Sequence, residues 1–206
     1  MPVSFSKNQP VSLRKGAVQS GAGLTSIAMG LGWDPVERSG WRAVLAPPRE
    51  IDLDASCIML SSDGQEVDSV WYRRLRSRMG AVRHSGDNLT GKGDGDNETI
   101  AVNLDSVPGN VNYLVFVVGS YSGQSFKDVA NASCRVYDTS NGAKTVFGEF
   151  SLTALKDDHR GIVMAVVSRD DSDGWKITMI GDTTQDGRAY RDMLPAAVAA
   201  IQRLVL

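Results

Sequence analysis

The feature that most limits what this chain can fold into is a long succession of short alternating runs. Ile27, Met29, Leu31 and Trp33 fall on one side of a run from Leu24 to Trp33. Leu53, Ala55, Cys57 and Met59 do the same between Asp52 and Leu60, with Asp52, Asp54 and Ser56 opposite. Period-two alternation describes a strand with one face in a core. Further strands are expected at Val11–Leu13, Ser69–Leu75, Thr99–Leu104, Ala132–Asp138, Thr145–Leu152, Gly161–Ser168 and Trp175–Ile180. Tyr113–Val118 is almost continuously apolar, the pattern of a central strand covered on both faces. Turn chemistry separates the runs: Ser62-Asp63-Gly64-Gln65, Val107-Pro108-Gly109, Ser140-Asn141-Gly142 and Ser172-Asp173-Gly174. Only near the end does the period change. Leu194, Ala197, Val198, Ile201, Leu204 and Val205 make a helical stripe, with Asp192 placed to cap it and Pro195 in its first turn. The expected fold is therefore mainly β: a two-sheet antiparallel sandwich with a few short helices, one of them near Phe126–Asn131, and a C-terminal helix over 192–206.

Composition narrows the class. With 42% hydrophobic and 22% charged residues the chain has the ordinary globular balance, and its 206 residues suffice for one sizeable core. The net charge of −2 argues against a polyanion binder as a whole. No apolar stretch approaches the roughly 18–20 residues of a membrane span, and the N-terminus lacks the apolar segment of an export signal. A cytoplasmic location is the expectation; peripheral membrane association stays open. Cys57 and Cys134 lie inside apolar runs and read as buried free thiols. With only His84 and His159 as histidines, a zinc site is poorly supported.

One segment carries chemistry. Gly86 to Glu98 packs four carboxylates, two asparagines, a threonine and four glycines into thirteen residues. Calcium takes six to eight oxygen ligands in flexible geometry, and glycine lets a short backbone fold round one point. Asp94, Asp96 and Glu98 are spaced by two and share a side of an extended segment. Crowded carboxylates repel one another, and a cation relieves that repulsion. A solvated Asp/Gly turn is the plain alternative. The spacing does not fit an EF-hand, and magnesium, which demands a near-ideal octahedron, suits such a loop less well. Asp52 and Asp54, on the polar side of their strand, could complete a shell.

Read together, these pieces acquire a likeness. Ile51-Asp52-Leu53-Asp54-Ala55-Ser56 resembles the D-L-D-A-S element of the TerD family. His84 to Gly91 followed by Gly93 to Glu98 resembles its G-D-N-L-T-G-x-G-D-G-D-D-E signature. Ser12 to Gly16, Leu31-Gly32-Trp33-Asp34, Val107-Pro108, Val115 to Val118, Gly123 to Phe126 and Gly174-Trp175-Lys176 match further elements in the same order. The resemblance implies a β-sandwich over 1–206 as a single TerD-like domain, calcium bound by acidic loops, and a role in resistance to tellurite and other stresses. It implies Asp52, Asp54, Asp87, Asn88, Thr90, Asp94, Asp96 and Glu98 as metal ligands, and partners among other proteins of a stress-resistance assembly. The chain departs from the pattern at Asn97, where the family has Asp, at Ser125, where it has Asn, at Arg73-Arg74, where it has Asn-Asn, and in a longer loop over 34–50.

Two other readings remain beside that of a binding or scaffold module. A metal-dependent hydrolase or phosphate-handling enzyme would use His84, although a surface histidine is the plainer account of that residue and no catalytic residue is assigned. A nucleic-acid or anionic-partner adaptor would use Arg73, Arg74, Arg76, Arg78 and Arg83, five arginines in eleven residues. Against it, no nucleic-acid motif accompanies them, and charges on an exposed sheet edge also discourage edge-to-edge pairing. Trp41 and Trp175 are candidates for partner anchors or for burial.

Overall fold

The computed structural model describes residues 10–13, 25–35, 51–93, 95–155, 157–169 and 174–205. Its strands are β1 (Pro10–Leu13), β2 (Ser26–Asp34), β3 (Leu53–Leu60), β4 (Glu66–Val70), β5 (Val82–His84), β6 (Glu98–Asn103), β7 (Tyr113–Ser120), β8 (Ala130–Asp138), β9 (Thr145–Ser151), β10 (Gly161–Arg169) and β11 (Trp175–Thr184). A single α-helix among the described residues, α1 (Leu194–Val205), follows a 3-10 turn at Tyr190–Met193. The first sheet runs β1-β11-β10-β7-β3-β4 and the second β5-β6-β2-β8-β9, with every pairing antiparallel. The expected sandwich is what forms.

The alternation in the sequence sets the layers. Ile27, Met29, Leu31 and Trp33 of β2 meet Leu53, Ala55, Cys57 and Met59 of β3 in one core between the sheets. The other side of the first sheet is also covered. Ile58 and Leu60 of β3, Val115 and Val117 of β7 and Val163 and Val166 of β10 pack under Ala197, Ala200 and Ile201 of α1. Each Val, Leu or Ile side chain among them contributes about 1.5–3 kcal/mol on leaving water. Covering both faces explains the unbroken apolar runs of β7 and β10, which alternation alone could not orient. In β10 a bulge at Met164 turns both Met164 and Ala165 toward the inter-sheet core.

Cys57 and Cys134 are free thiols on this core, one from each sheet, as the sequence suggested. Burial pushes both thiols up, Cys134 to about 12. Trp175 is buried in the same core, with Arg169 stacked 4.4 Å over its ring; Trp41 and most of the longer loop over 34–50 lie outside the described residues.

Two expectations need correction, and one strand was not anticipated. The strand expected over Ser69–Leu75 ends at Val70: Trp71 and Arg74 bond to each other across a tight turn, at 3.1 and 2.8 Å. β5 was hidden in the arginine segment. Asp192 does not cap the α-helix but closes the preceding 3-10 turn, its carboxylate accepting the Ala189 N–H at 2.9 Å. Among the described residues no helix is long and apolar enough to cross a membrane.

Candidate metal centre

The acidic loop joins β5 to β6, both of the second sheet, and its fold is written in its side chains. Asn88 Oδ1 accepts the N–H groups of Thr90 and Gly91, at 3.1 and 3.0 Å, which turns the chain back on itself. Its Nδ2 donates to Lys92 O. Gly91, at φ +68°, then lies against the Trp33 indole, where a Cβ would come within 2.5 Å of the ring. Trp33 is itself fixed by Nε1 donating to Ile51 O. The return of the loop is stitched to β2: Asn97 N–H donates to Leu31 O, and Trp33 N–H donates to Asn97 Oδ1, both at 2.8 Å.

This fold carries Asp87 over the start of β3. Asp52, Asp54 and Asp87 each offer a carboxylate oxygen within 4.8 Å of the others. Asp54 is 7% exposed, and neither of its carboxylate oxygens has a hydrogen-bond partner. Neither Asp54 nor Asp87 has an ion-pair partner among the described residues. Burial first, then the charges of Asp52, Glu98 and Asp87, push the Asp54 carboxyl up to about 8. A buried carboxylate with empty lone pairs costs free energy unless something positive or protonated sits against it. The trio could therefore hold a hard metal ion.

Glu98 stands behind the trio rather than in it. It is fully buried, with Oε2 accepting the Ala55 N–H at 2.8 Å and Oε1 accepting the Asn88 N–H at 3.1 Å. It thereby ties β3 of one sheet to the acidic loop of the other. His84, expected at the surface, is buried beside it. Gly86 N–H donates to His84 Nδ1, so the ring proton is on Nε2, which lies 3.1 Å from Ala55 O and 3.5 Å from Glu98 Oε2. Both ring nitrogens are thus committed to the scaffold, and burial follows from those tertiary partners, which nothing local in the sequence announces.

The remaining residues of the expected ligand set divide. Asn88 and Thr90 are in the loop, with Asn88 Oδ1 taken by backbone. Asp94 lies outside the described residues. Asp96 points the other way, over the outer face of the second sheet, where it accepts from Arg135 Nη1 at 2.9 Å and Tyr137 Oη at 2.8 Å and approaches Lys144 Nζ at 3.4 Å. β2 admits it only because position 30 is glycine; a Cβ there would lie 2.3 Å from the Asp96 carboxyl carbon. The contrast is informative: Asp96 is paired with cations of the protein, whereas Asp54 and Asp87 are not. The arginine segment runs from edge strand β4 to edge strand β5. Arg74 pairs with Asp68 at 2.7 Å, Arg73 lies over Tyr72, and Arg73, Arg76, Arg78 and Arg83 are exposed.

An aromatic wall stands beside the trio, unannounced by any local pattern. Trp71 packs edge-on to Tyr72 at 5.0 Å, Trp71 against Tyr190 at 5.2 Å, and Tyr72 against Tyr121 at 5.7 Å. Asp54, Trp71, Tyr72 and Tyr190 line one narrow cavity. Aromatic residues scattered over 71–190 carry no local signal; only the strand order brings them together.

Fold and rim together define a two-sheet sandwich whose acidic edge could take a cation. Comparison with known proteins supplies the rest. A TerD domain profile matches residues 1–190, and the chain belongs to the TerD family. It is 44% identical over 202 residues to the tellurium resistance protein TerZ of Serratia marcescens, covering 98% of this chain and 100% of that one. It is 39% identical to the stress response protein SCP2 of Bacillus subtilis (strain 168), covering 91% and 96%. Among solved structures, a homologue of the telluride resistance protein TerD from Streptomyces coelicolor A3(2) superposes with a TM-score of 0.68 at 20% identity, over 82% of this chain and 96% of that one. That likeness speaks to the fold alone.

Proposed function

We propose that this chain is a calcium-dependent binding or scaffold module of a cytoplasmic stress- and tellurite-resistance assembly. The observation that carries the proposal is Asp54, whose two buried oxygens lack partners beside Asp52 and Asp87. A hard cation suits an all-oxygen donor set, and calcium tolerates the irregular geometry that such a loop offers. Asp52, Asp54 and Asp87 hold the ion, and Glu98 positions the loop that brings Asp87 to it. Thr90, Asp94 and Asp96 remain ligands in the family pattern, but the contacts of Asp96 favour a role in anchoring the loop. When bound, the cation offsets the repulsion among the carboxylates and orders the rim on which a partner protein docks. The similarity to tellurium resistance and stress response proteins supports the biological setting.

The test is calorimetric titration of metal-stripped protein with calcium, alongside thermal melts with and without the ion. Binding heat and a raised melting temperature are expected, both lost in Asp54→Ala/Asp87→Ala. Equal heat and an equal shift in that double variant would overturn the assignment.

A further inference from the structure

We infer that the arginine hairpin over 75–84 docks this protein on the surface of an anionic phospholipid bilayer, with Met79 entering the interface and the arginines round it meeting headgroup phosphates. The hairpin forms the edge of the second sheet. His84 N–H donates to Leu75 O at 2.9 Å and Ser77 N–H to Val82 O at 3.0 Å, so residues 75–77 run antiparallel along β5. Between those two bonds Arg76 and Arg83 stand directly opposite each other. A turn closes the far end. Gly80, at φ +74°, donates its N–H to Ser77 O at 2.9 Å, and Ser77 Oγ accepts the Val82 N–H at 3.0 Å. Val82 and His84, both buried, root this frame in the protein. β5 leads from the turn to the acidic loop, so the tip and the acidic loop lie at opposite ends of that strand.

Two observations set this hairpin apart from ordinary surface. The first is charge without a counter-charge. Of the five arginines over 73–83, only Arg74 has a carboxylate partner among the described residues, Asp68 at 2.7 Å. Arg83 Nε reaches only Gly80 O, at a long 3.4 Å, and Arg76 and Arg78 are exposed. Like charges directly opposite each other destabilise a strand pair, and an external anion between Arg76 and Arg83 removes that penalty. The second observation is apolar. Met79, at the turn, is 73% exposed, the most of any large apolar side chain among the described residues, and Leu75 on the same hairpin is 42% exposed. Protection of a sheet edge accounts for scattered charges. It accounts neither for two arginines in register nor for a bare methionine at the outermost turn.

Anions and an apolar phase within reach of one short turn occur together at the headgroup boundary of an anionic bilayer. Arginine suits that boundary: its planar fork meets phosphate while its stem lies against the acyl chains. Met79 leaves water at the same place. Neither signal is sufficient singly, since peripheral attachment takes an apolar element and a basic patch together. A nucleic acid supplies phosphates but binds single strands through exposed rings on which bases stack. The hairpin has one ring, that of His84, and it is buried. With a net charge of −2 the molecule as a whole is not drawn to an anionic surface, so the hairpin sets the orientation in which it lands. The inference is independent of the metal reading.

The experiment is co-sedimentation of the full chain with vesicles of equimolar phosphatidylglycerol and phosphatidylcholine, against phosphatidylcholine alone, in chelator so that no metal at the acidic loop contributes. Wild type should bind the anionic vesicles only, and less as salt rises. Arg76→Gln/Arg83→Gln should bind about 25-fold more weakly, about fivefold for each arginine near the surface. That variant should melt no lower than wild type, because a repulsion is removed; a lower melting temperature would contradict the unpaired state of the two arginines. Met79→Ser should weaken vesicle binding several-fold with both charges intact. Absence of binding to anionic vesicles, equal binding to phosphatidylcholine, or full binding by the double glutamine variant would overturn the inference. So would binding to duplex DNA or polyglutamate as tight as to the vesicles and untouched by Met79→Ser, which would make the hairpin a polyanion contact instead.

Discussion

At the scale of single residues, the carboxyl of Asp54 and the glycine at 91 set what the rim can do. In cation-free protein Asp54 keeps its proton to about pH 8, whereas an unfolded chain releases it near the ordinary value of 3.8. Between these limits the folded state binds more protons than the unfolded one, so stability falls as pH rises. The loss across that window is on the order of a few kcal/mol, and the slope should vanish in Asp54→Asn and shrink when calcium is present. Denaturant melts at pH 5 and pH 8.5, with chelator and with calcium, measure it; a flat profile for the stripped wild type would refute the burial of an uncompensated charge. Gly91 is the geometric counterpart. Alanine there meets both a left-handed backbone and the Trp33 ring, and should cost about 1–3 kcal/mol. It should also weaken calcium binding several-fold, because the displaced loop is the one that presents Asp87. A variant as stable as wild type, with wild-type affinity, would contradict the packing described.

At the scale of elements, β8 acts as the second anchor of the acidic loop. Glu98 pulls the loop toward β3, and Asp96 fastens it to Arg135 and Tyr137 of β8. Asp96→Asn should therefore lose about 1–3 kcal/mol by the same amount with or without calcium. Asp54→Asn should instead lose the calcium-dependent increment. Paired denaturation curves distinguish an anchor from a ligand: if Asp96→Asn abolished the increment, Asp96 would belong to the metal shell. These elements also show how far the sequence could be read. The phase of β6 was legible because it has one polar and one apolar side, that of β2 because small residues (Ser26, Ala28, Gly30) alternate with large apolar ones, and that of β3 because Asp54 and Ser56 mark one side, even though Ile58 and Leu60 on that side go under α1. The phase of β10 was not, since both of its faces are covered and the slip at Met164 leaves no trace in a uniformly apolar run. The stretch Trp71 to Leu75 imitates alternation while forming a tight turn. The acidic loop declared itself by composition, and Asp52 and Asp54 by their side of β3. That Asp96 faces away from the trio depends on Gly30, Arg135 and Tyr137, which only the folded sheet brings to one place.

At the scale of the molecule, the acidic trio draws Asp52 and Asp54 from beside and within β3 of one sheet, and Asp87 from a loop of the other. A cation there would pin the two sheets at one rim, where Glu98 already bridges them. Calcium at about a hundred times its dissociation constant would add about 2.7 kcal/mol, which for a chain of this size is about 5–11 °C in melting temperature. Hydrogen exchange gives the spatial test. The amides of Ala55 and Asn88, both held by Glu98, should slow together on adding calcium, while amides of β10 and β11 far from the rim change little. Slowing confined to the Asn88 side would show that the ion orders the loop without joining the sheets.

The placement of the two cysteines has a practical consequence. Both thiols are sealed in the inter-sheet core and held in the protonated form near neutral pH, and thiolate is the reactive species. The folded protein thus offers alkylating and oxidising reagents a silent background. A single cysteine introduced at the acidic rim would be the one sulfhydryl to respond, and a dye placed there could report ion loading or partner arrival without first removing the native pair.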